Sequence, residues 1–233
     1  MKILSIDTSN YVLGIGLIDE SQVLGEYISN IKKNHSVRVM PAIQTIMNEC
    51  GVAPKDLTKI VVAKGPGSYT GVRIGVTIAK TLAWTLNIPI TGVSSLEVLA
   101  ASVGRHFNGY ISPLFDARRG QIYTGLYQFK NGQLLTIEQD QLVLTAEWAP
   151  KLDALDGDIL FVGNDLPLHD QVIKEALGTK AVFAEVTEQN PRPAELALLG
   201  RERPAEDPHL FVPNYIRLAE AEAKWLESQK NNK

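Results

Sequence analysis

A glycine-rich segment is the first place in this sequence where the backbone could bind a ligand. Gly65-Pro66-Gly67-Ser68-Tyr69-Thr70-Gly71 leads from an apolar run into a helix-forming stretch. Glycine permits positive φ angles and close backbone approach, as loops that bind phosphate require. However, the spacing fits neither a P-loop, nor a dinucleotide fingerprint, nor a Gly-x-Ser-x-Gly nucleophile elbow. Gly65 and Gly67 therefore remain candidate cofactor-binding residues without a matching nucleotide motif.

Histidine and hydroxyl groups could support hydrolysis or bind a metal. His35 directly precedes Ser36, which suggests a hydrolase, but no nearby acid is evident to orient the imidazole. The simpler interpretation makes Ser36 a helix N-cap and His35 a loop residue. The remaining histidines, His106, His169 and His209, form no pair at helical ligand spacing. The sequence thus predicts no catalytic residue and no metal ligand.

Two adjacent arginines, Arg118 and Arg119, could bind phosphate or RNA, because guanidinium groups fit phosphate oxygens. Neighbouring residues at a strand start usually face opposite sides of the strand. The chain carries 23 Lys and Arg against 26 Asp and Glu, a net charge of -3, so no wide basic field supports nucleic-acid binding. We expect any RNA contact to be local or supplied by a partner.

The elements that must position these residues alternate in an ordered pattern. Three short strands at the start are followed by a helix, a strand ending at Ala63, a helix from Gly71 to Leu86, a strand near Ile90 and a helix from Ser94 to about Val103. This order matches one ribonuclease-H-like lobe, the unit that actin-like ATPases and sugar kinases carry twice. We expect residues 1–105 to form it.

A weaker copy of the pattern follows in residues 106–216. Gly109 to Phe115 and Gln121 to Phe129 indicate a hairpin, later apolar runs indicate further strands, and Ala194 to Gly200 a short helix. We therefore predict an α/β protein with an actin-like ATPase fold, two lobes and a reduced second lobe. A charged C-terminal helix over residues 217–228 is expected to join the first lobe.

Asp7 ends the first strand, where actin-like ATPases place a carboxylate near nucleotide and magnesium. It is therefore a third candidate cofactor-binding residue. The alternative is a carboxylate that caps its own turn, and this is the commoner use of aspartate after a strand.

The cysteine count and the absence of long apolar runs in the sequence favour a cytoplasmic protein. Cys50 is the single cysteine of 233 residues, so no internal disulfide is expected, and the N-terminus runs directly into a strand pattern rather than a signal peptide. No apolar run approaches the roughly 18 to 20 residues that span a bilayer.

Two helices carry residues suited to a partner surface. On the helix after the glycine turn, small residues recur every four positions, at Gly71, Gly75, Ala79 and Ala83. A neighbouring stripe, Arg73, Thr77, Lys80 and Trp84, mixes polar and aromatic side chains, as interface rims do. On the preceding helix, Met40 and Met47 lie off the predicted core stripe. We predict that these ten residues meet a partner; the alternative is packing within the chain.

Five segments, taken together, resemble the TsaB family. They are Ile6-Asp7-Thr8-Ser9, Asn34-His35-Ser36, Lys64 to Gly75, Asp116 to Tyr123, and Pro213-Asn214-Tyr215-Ile216-Arg217, and they span nearly the whole chain in order. The resemblance implies a non-catalytic subunit of the machinery that installs threonylcarbamoyl on the adenosine next to the tRNA anticodon. In the catalytic paralogue TsaD, a His-x-x-x-His pair ligates metal. Ser95 and Leu99 stand at the corresponding positions here, and neither can replace imidazole.

The resemblance also implies the partners. We expect a heterodimer with TsaD, contact with the ATPase TsaE, a functional link to TsaC, homodimerisation when the chain is alone, tRNA reached only through the complex, and no membrane association. No intrinsic cofactor is expected, and ATP with magnesium is placed at the complex interface. The competing hypotheses are an ATPase or small-molecule kinase of the actin-like fold, a glycoprotease-like peptidase, and a tRNA-binding module.

Overall fold

A computed structural model describes residues 1–216 and contains two similar α/β lobes. The elements of the first lobe are β1 Ile3–Asp7, β2 Leu13–Ile18, β3 Val23–Ser29, α1 Val39–Glu49, β4 Lys59–Ala63, α2 Tyr69–Leu86, β5 Ile90–Val93 and α3 Ser95–Val103. The elements that follow are β6 Tyr110–Asp116, β7 Gln121–Lys130, β8 Gln133–Leu144, α4 Thr145–Leu152, β9 Ile159–Val162, α5 Asp170–Leu177, β10 Ala181–Phe183 and α6 Pro193–Arg201.

The two sheets share one topology. The first has the order β3-β2-β1-β4-β5 and the second β10-β9-β6-β7-β8, which is the same arrangement read from the other edge. In each lobe the first three strands are antiparallel neighbours, and the last two join in parallel. This is the duplicated ribonuclease-H-like pattern that the sequence predicts.

The first sheet is covered by helices on both faces. Leu4 and Ile6 of β1 pack in the core formed with α1 and α2. Ile3 packs with α3 and α6, and the hydroxyl of Ser5 donates to the carbonyl of Pro193 at 2.6 Å. Side chains alternate across a strand, so β1 divides its residues between the two helical layers.

The predicted lobe boundary near residue 105 needs one correction. The helix α6, assigned from the sequence to the second lobe, packs on the first sheet, where Ala194, Leu196 and Ala197 meet Ile3 and Ala63. The connector after α6 also lies on the first lobe, since Asn214 N donates to the Lys64 carbonyl at 2.7 Å. The cause is that the second face of the first sheet needs an apolar cover.

The second lobe is reduced, but it contains two helices that the sequence did not reveal. The helices α4 and α5 have 8 residues each, against 18 in α2. In α4 Pro150 obscures the helical pattern, and α5 buries only Ile173 and Leu177. The predicted helix over residues 217–228 lies outside the described residues. Among residues 1–216 no helix is both long enough and apolar enough to cross a membrane.

Candidate functional site

The glycine turn is built into the fold through its own backbone. Gly65 N donates to Ser95 Oγ at 3.1 Å, and Ser68 N donates to the Ser9 carbonyl at 2.7 Å. A side chain at Gly67 would collide with the carbonyl of Ser9, and one at Gly65 would meet the carbonyl of Asn214 at 2.8 Å. The glycines thus admit neighbouring protein backbone, and Ser68 then caps α2 by accepting from Gly71 N at 3.3 Å.

Asp7 and His35 are both buried behind the glycine turn. Asp7 is 2% exposed, and its Oδ1 accepts from Ser9 N at 2.9 Å and from Ser9 Oγ at 2.7 Å. Burial raises the pKa of Asp7, while the two bonds from Ser9 and the charge of His35 oppose that rise. His35 Nε2 lies 2.7 Å from the Asn10 carbonyl. A carbonyl only accepts, so Nε2 carries a hydrogen.

The contacts of His35 and Ser36 show that the two residues have separate structural roles. The hydroxyl of Ser36 donates to Asn34 Oδ1 at 2.9 Å, and Ser36 N donates to the same oxygen at 3.0 Å. Asn34 is therefore the N-cap of the short helical turn His35–Val37, and the predicted N-cap role of Ser36 is wrong. Since Ser36 is bonded to Asn34 while His35 is buried against Asn10, the two residues do not form a hydrolase pair.

A cleft of about 590 Å³ opens between the lobes, beside the glycine turn. Its first-lobe wall includes Asn10, Tyr11 and Tyr69, and its second-lobe wall includes Asp116 and Asp165. Burial raises the pKa of the Asp165 carboxyl, and the negative charge of Asp116 adds to the rise. The hydrogen bond that Asp116 N donates to Asp165 Oδ2 at 3.0 Å opposes it, as do the charges of His169 and Lys32. The cleft therefore combines aromatic side chains with two close carboxyl groups.

A hydrogen-bonded chain behind the second-lobe wall was not foreseen. His169 Nε2 lies 3.0 Å from Asp116 Oδ1, and His169 Nδ1 lies 2.8 Å from Thr145 Oγ1. This order of acid, imidazole and hydroxyl resembles a hydrolytic triad in composition. However, Thr145 is 2% exposed, so its hydroxyl does not reach a substrate. This hydrogen-bonded chain fixes the Asp116 side chain at the end of β6. His169 is 53 residues from Asp116 and 24 from Thr145, so no local sequence pattern predicts the contacts.

Arg118 and Arg119 lie in the β6–β7 turn, not at a strand start. Their φ angles are 67° and 56°, and Gly120 follows with 72°. Both arginines are exposed, and Arg118 lines the cleft. The expectation that strand pleating would send them to opposite sides is wrong, because left-handed residues in a turn do not follow the strand alternation.

The small-residue strip of α2 faces inward. Gly71, Gly75, Ala79 and Ala83 are all buried, and a side chain at Gly75 would approach Thr8 Oγ1 to 2.5 Å. The four residues allow α2 to lie close to β1 of its own lobe. The prediction that they form a partner surface is therefore corrected to internal packing, which was the alternative.

The neighbouring stripe of α2 is partly covered by the connector that follows α6. Lys80 Nζ donates to the Phe211 carbonyl at 2.7 Å, and the ring of Trp84 lies 6.2 Å from that of His209. Arg73 bonds the hydroxyl of Tyr69 at 2.9 Å. Arg73, Thr77 and Trp84 nevertheless remain exposed, and the exposed fraction of Trp84 is 65%. This stripe remains available as the rim of a surface.

An apolar groove of about 1010 Å³ separates α1 from α2. It is lined by side chains from both helices and from the loop after α1, including Met40, Pro41, Gln44, Met47, Ala53, Pro54, Leu82 and Leu86. Met40 is 45% exposed, as expected, whereas Met47 is 6% exposed and belongs to the core cluster. Met47 forms the floor of the groove rather than its surface. Periodicity alone did not reveal this groove, because it depends on how two helices and a loop meet.

No group of three or more potential metal ligands occurs within residues 1–216. Ser95, at one position of the paralogue's histidine pair, is fully buried and accepts from Gly65 N. Leu99, at the other, packs in the core between α3 and the second sheet. These positions now serve packing between the glycine turn and the second lobe.

Comparison with known sequences gives consistent matches over most of the chain. Residues 22–225 match the family model described as TsaD, tRNA N6-adenosine threonylcarbamoyltransferase. The chain is 63% identical over 230 residues to the tRNA threonylcarbamoyladenosine biosynthesis protein TsaB of Bacillus subtilis strain 168, covering 99% of this chain and 100% of that protein. It is 32% identical over 166 residues to the protein of the same name from Escherichia coli strain K12, covering 70% and 71%.

Solved structures support the fold. A Pseudomonas aeruginosa protein described as similar to peptidase YEAZ superposes with a TM-score of 0.80 at 25% identity, covering 93% of this chain and 99% of that one. A ROK hexokinase from Thermus thermophilus superposes with a TM-score of 0.52 at 14% identity, covering 86% and 99%. The second likeness concerns the fold alone, and it confirms the predicted two-lobed architecture that sugar kinases share.

Proposed function

Because the chain belongs to the TsaB family of tRNA threonylcarbamoyladenosine biosynthesis proteins, we propose that it is a non-catalytic subunit that binds the catalytic paralogue TsaD. The subunit holds TsaD in the form competent for threonylcarbamoyl transfer to tRNA. The observation that carries this proposal is the apolar groove between α1 and α2.

The composition of the groove supports a protein partner. Met40 is 45% exposed at its edge, and the half-buried Leu82 and Leu86 line it from α2, so large apolar side chains face solvent. Contiguous apolar surface of this kind is uncommon on a monomer and marks interaction sites. Methionine is enriched in such interfaces. We propose that TsaD packs helices of its own against α1 and α2.

Placing a positive charge at the edge of the groove tests this proposal. Met40→Arg and Leu86→Arg each place a cation on the apolar surface without filling the core, because Met40 is exposed and Leu86 is half-buried. We expect each variant to retain its melting temperature and to lose co-purification with TsaD. The loss of affinity should be roughly 30-fold or more, since truncating or charging a central contact costs about 2 kcal/mol or more.

Val186→Arg is the matched control. Val186 is 77% exposed and follows β10. It is therefore not part of the groove between α1 and α2. This variant should bind TsaD as the unmodified chain does. Unchanged binding by both groove variants, with folding intact, would place the partner surface elsewhere.

We also propose that ATP and magnesium act at the interface of the complex, where TsaE joins, and that this chain has no cofactor of its own. The engagement of Asp7 Oδ1 by Ser9, and of Gly65 N and Ser68 N by Ser95 and Ser9, supports this. Titration calorimetry with ATP and magnesium should give no heat with the isolated chain. Tight binding that is lost in Asp7→Ala would favour the kinase hypothesis.

Light scattering over a concentration series tests the state of the chain without TsaD. We propose that the exposed groove then pairs with itself, because like surfaces can form a two-fold dimer. Met40→Arg should shift this equilibrium to the monomer. A dimer unaffected by Met40→Arg and Leu86→Arg would use another surface.

A further inference from the structure

We propose that the mouth of the interlobe cleft binds single-stranded RNA directly, with one base in the cleft and the adjoining phosphates on a basic rim formed by Lys32, Arg118 and Arg119. The proposal rests on the proposed function, because RNA is the substrate of the family's pathway. It assigns to this chain a contact that charge totals alone argued against.

The rim places cations on both sides of the cleft. Lys32 Nζ lies 5.5 Å above the ring of Tyr11, a wall residue, and acts on the charge of Asp165 on the opposite wall. Arg118 lines the cleft from the second lobe, with the exposed Arg119 beside it. Cations on both banks suit an extended chain of phosphates, because each phosphate can meet its own side chain.

These arginines are not otherwise employed. In the part of the chain that the structure describes, neither Arg118 nor Arg119 takes part in an ion pair. Their turn needs left-handed residues at both positions, for which asparagine and glycine are the usual choices. Arginine at both positions is explained by what the guanidinium groups bind, not by the turn.

The interior of the cleft suits a base rather than a phosphate. Tyr11 offers ring surface in the first-lobe wall, and aromatic rings stack with bases of any sequence. The Tyr69 ring lies 5.0 Å from the ring of Tyr215 and 5.3 Å from the Arg73 guanidinium, so Tyr69 shapes the wall and Tyr11 provides the stacking face. The carboxyl groups of Asp116 and Asp165 can accept hydrogen bonds from exocyclic amino groups. The same carboxyl groups repel phosphate, which keeps the charged backbone at the rim.

The cleft volume of about 590 Å³ is suited to one nucleoside and not to a folded helix. A duplex keeps its bases stacked inside, so it could offer only phosphate to the rim. Single-stranded RNA presents both the base and its flanking phosphates. An acidic peptide would satisfy the cations, but it would leave the stacking face of Tyr11 and the two carboxyl groups without a complementary group.

Fluorescence anisotropy with a labelled single-stranded oligoribonucleotide tests the proposal, using the full chain both alone and in complex with TsaD. We expect binding that weakens as salt rises. The double variant R118E/R119E should bind roughly ten-fold or more weakly and reduce the salt slope by about two, one for each lost phosphate contact. Lys32→Glu, on the other bank, should reduce the slope by about one and guards against local effects of the turn substitutions.

The double variant K130E/K174E is the control, because it changes the net charge equally at two exposed sites, Lys130 and Lys174. It should bind RNA almost as the unmodified chain does. RNA binding absent from the unmodified chain in both states, or equally reduced in the control, would overturn the proposal. Displacement of the RNA by free ATP or by polyglutamate at equal charge concentration would also overturn it, and would identify a free nucleotide or an acidic peptide as the occupant.

Co-purification with TsaD separates this proposal from the proposed function. R118E/R119E should retain TsaD while losing RNA. Loss of both would place the rim in the partner surface and would overturn the RNA contact, whereas loss of TsaD by the groove variants alone leaves the RNA contact in place.

Discussion

The two helical layers that cover the first sheet differ in the side chains and contacts on their outer sides. The layer of α3 and α6 is closed by polar contacts: Arg203 pairs with Glu97 at 2.5 Å, and Lys59 Nζ donates to the carbonyls of Gly200 at 2.6 Å and Arg203 at 2.8 Å. The layer of α1 and α2 packs equally well inward, but its outer side carries the apolar groove. Each layer covers the sheet, so the difference lies in what meets solvent.

This difference teaches where to look for function in a helix that carries several stripes. The inward strip of α2 recurs every four positions, yet it serves the fold. Leu82 and Leu86, which are also four positions apart, line the open groove. Regular spacing therefore does not distinguish packing within the chain from a partner surface, and the partner surface proposed above is based on exposed apolar side chains instead.

The largest expected effect concerns the inward face of α2. Gly75→Arg should destabilise the chain by more than about 4 kcal/mol, because it forces a long charged side chain against Thr8 in a packed core. We expect little folded protein, seen as a lost cooperative transition in circular dichroism. Such a variant cannot report on partner binding.

Thr77→Arg, two residues along the same helix, is the control for Gly75→Arg. Thr77 is exposed, so the free energy of unfolding should change by less than about 0.5 kcal/mol. A stable, cooperative Gly75→Arg protein would mean that the inward strip is not packed as described and would reopen its candidacy as an interface.

A smaller effect is expected on the closed layer. Lys59→Met keeps the length of the side chain but removes the donors that cap the end of α6, leaving carbonyls at Gly200, Arg201 and Arg203 without this partner. We expect a loss of about 1 to 3 kcal/mol in the free energy of unfolding, measured by urea denaturation. Lys55→Met, at an exposed position, should be neutral. Equal effects of the two changes would contradict the capping role.

The elements with strong periodicity could be predicted from the sequence. The first lobe, the glycine turn and the start of α3 follow from runs of apolar residues and from the residues that interrupt them. The faces could not, because α2 carries one stripe at Gly75 and another at Thr77, and periodicity does not say which of two stripes meets the sheet. The same limit misplaced Met47, which lies on the floor of the groove.

The cleft was beyond sequence reasoning for a different reason. Its walls come from distant segments, so Asp116 meets His169 across 53 residues. The positions of Arg118 and Arg119 depended on a turn whose left-handed residues are not the ones that usually signal it. Local patterns predict local structure, and the cleft is built by the packing of one lobe against the other.

The smallest expected effect compares the same turn motif in two environments. Asp7 and Asp19 each accept from the backbone N–H and the hydroxyl of a serine two residues on. Burial raises the pKa of Asp7, whereas the hydrogen bonds from Ser21 and Gln22 lower the pKa of the exposed Asp19. Asparagine keeps the acceptor oxygen at either site but cannot ionise.

The two changes should therefore differ in the sign of their pH dependence. For Asp7 the folded state holds the proton more firmly than the unfolded state, so the group's contribution to stability falls as pH rises from its unfolded value near 3.8 through the higher folded value. Asp7→Asn should thus gain stability relative to the unmodified chain as pH rises above the unfolded pKa of 3.8, seen as a growing difference in melting temperature. Asp19 stabilises above its unfolded pKa and loses that contribution as pH falls, so Asp19→Asn should be less stable than the unmodified chain near neutral pH and equal to it in acid. Melting curves over this range measure both differences, and a pH-independent gap for Asp7→Asn would mean that its carboxyl is not titrating in the buried state described here.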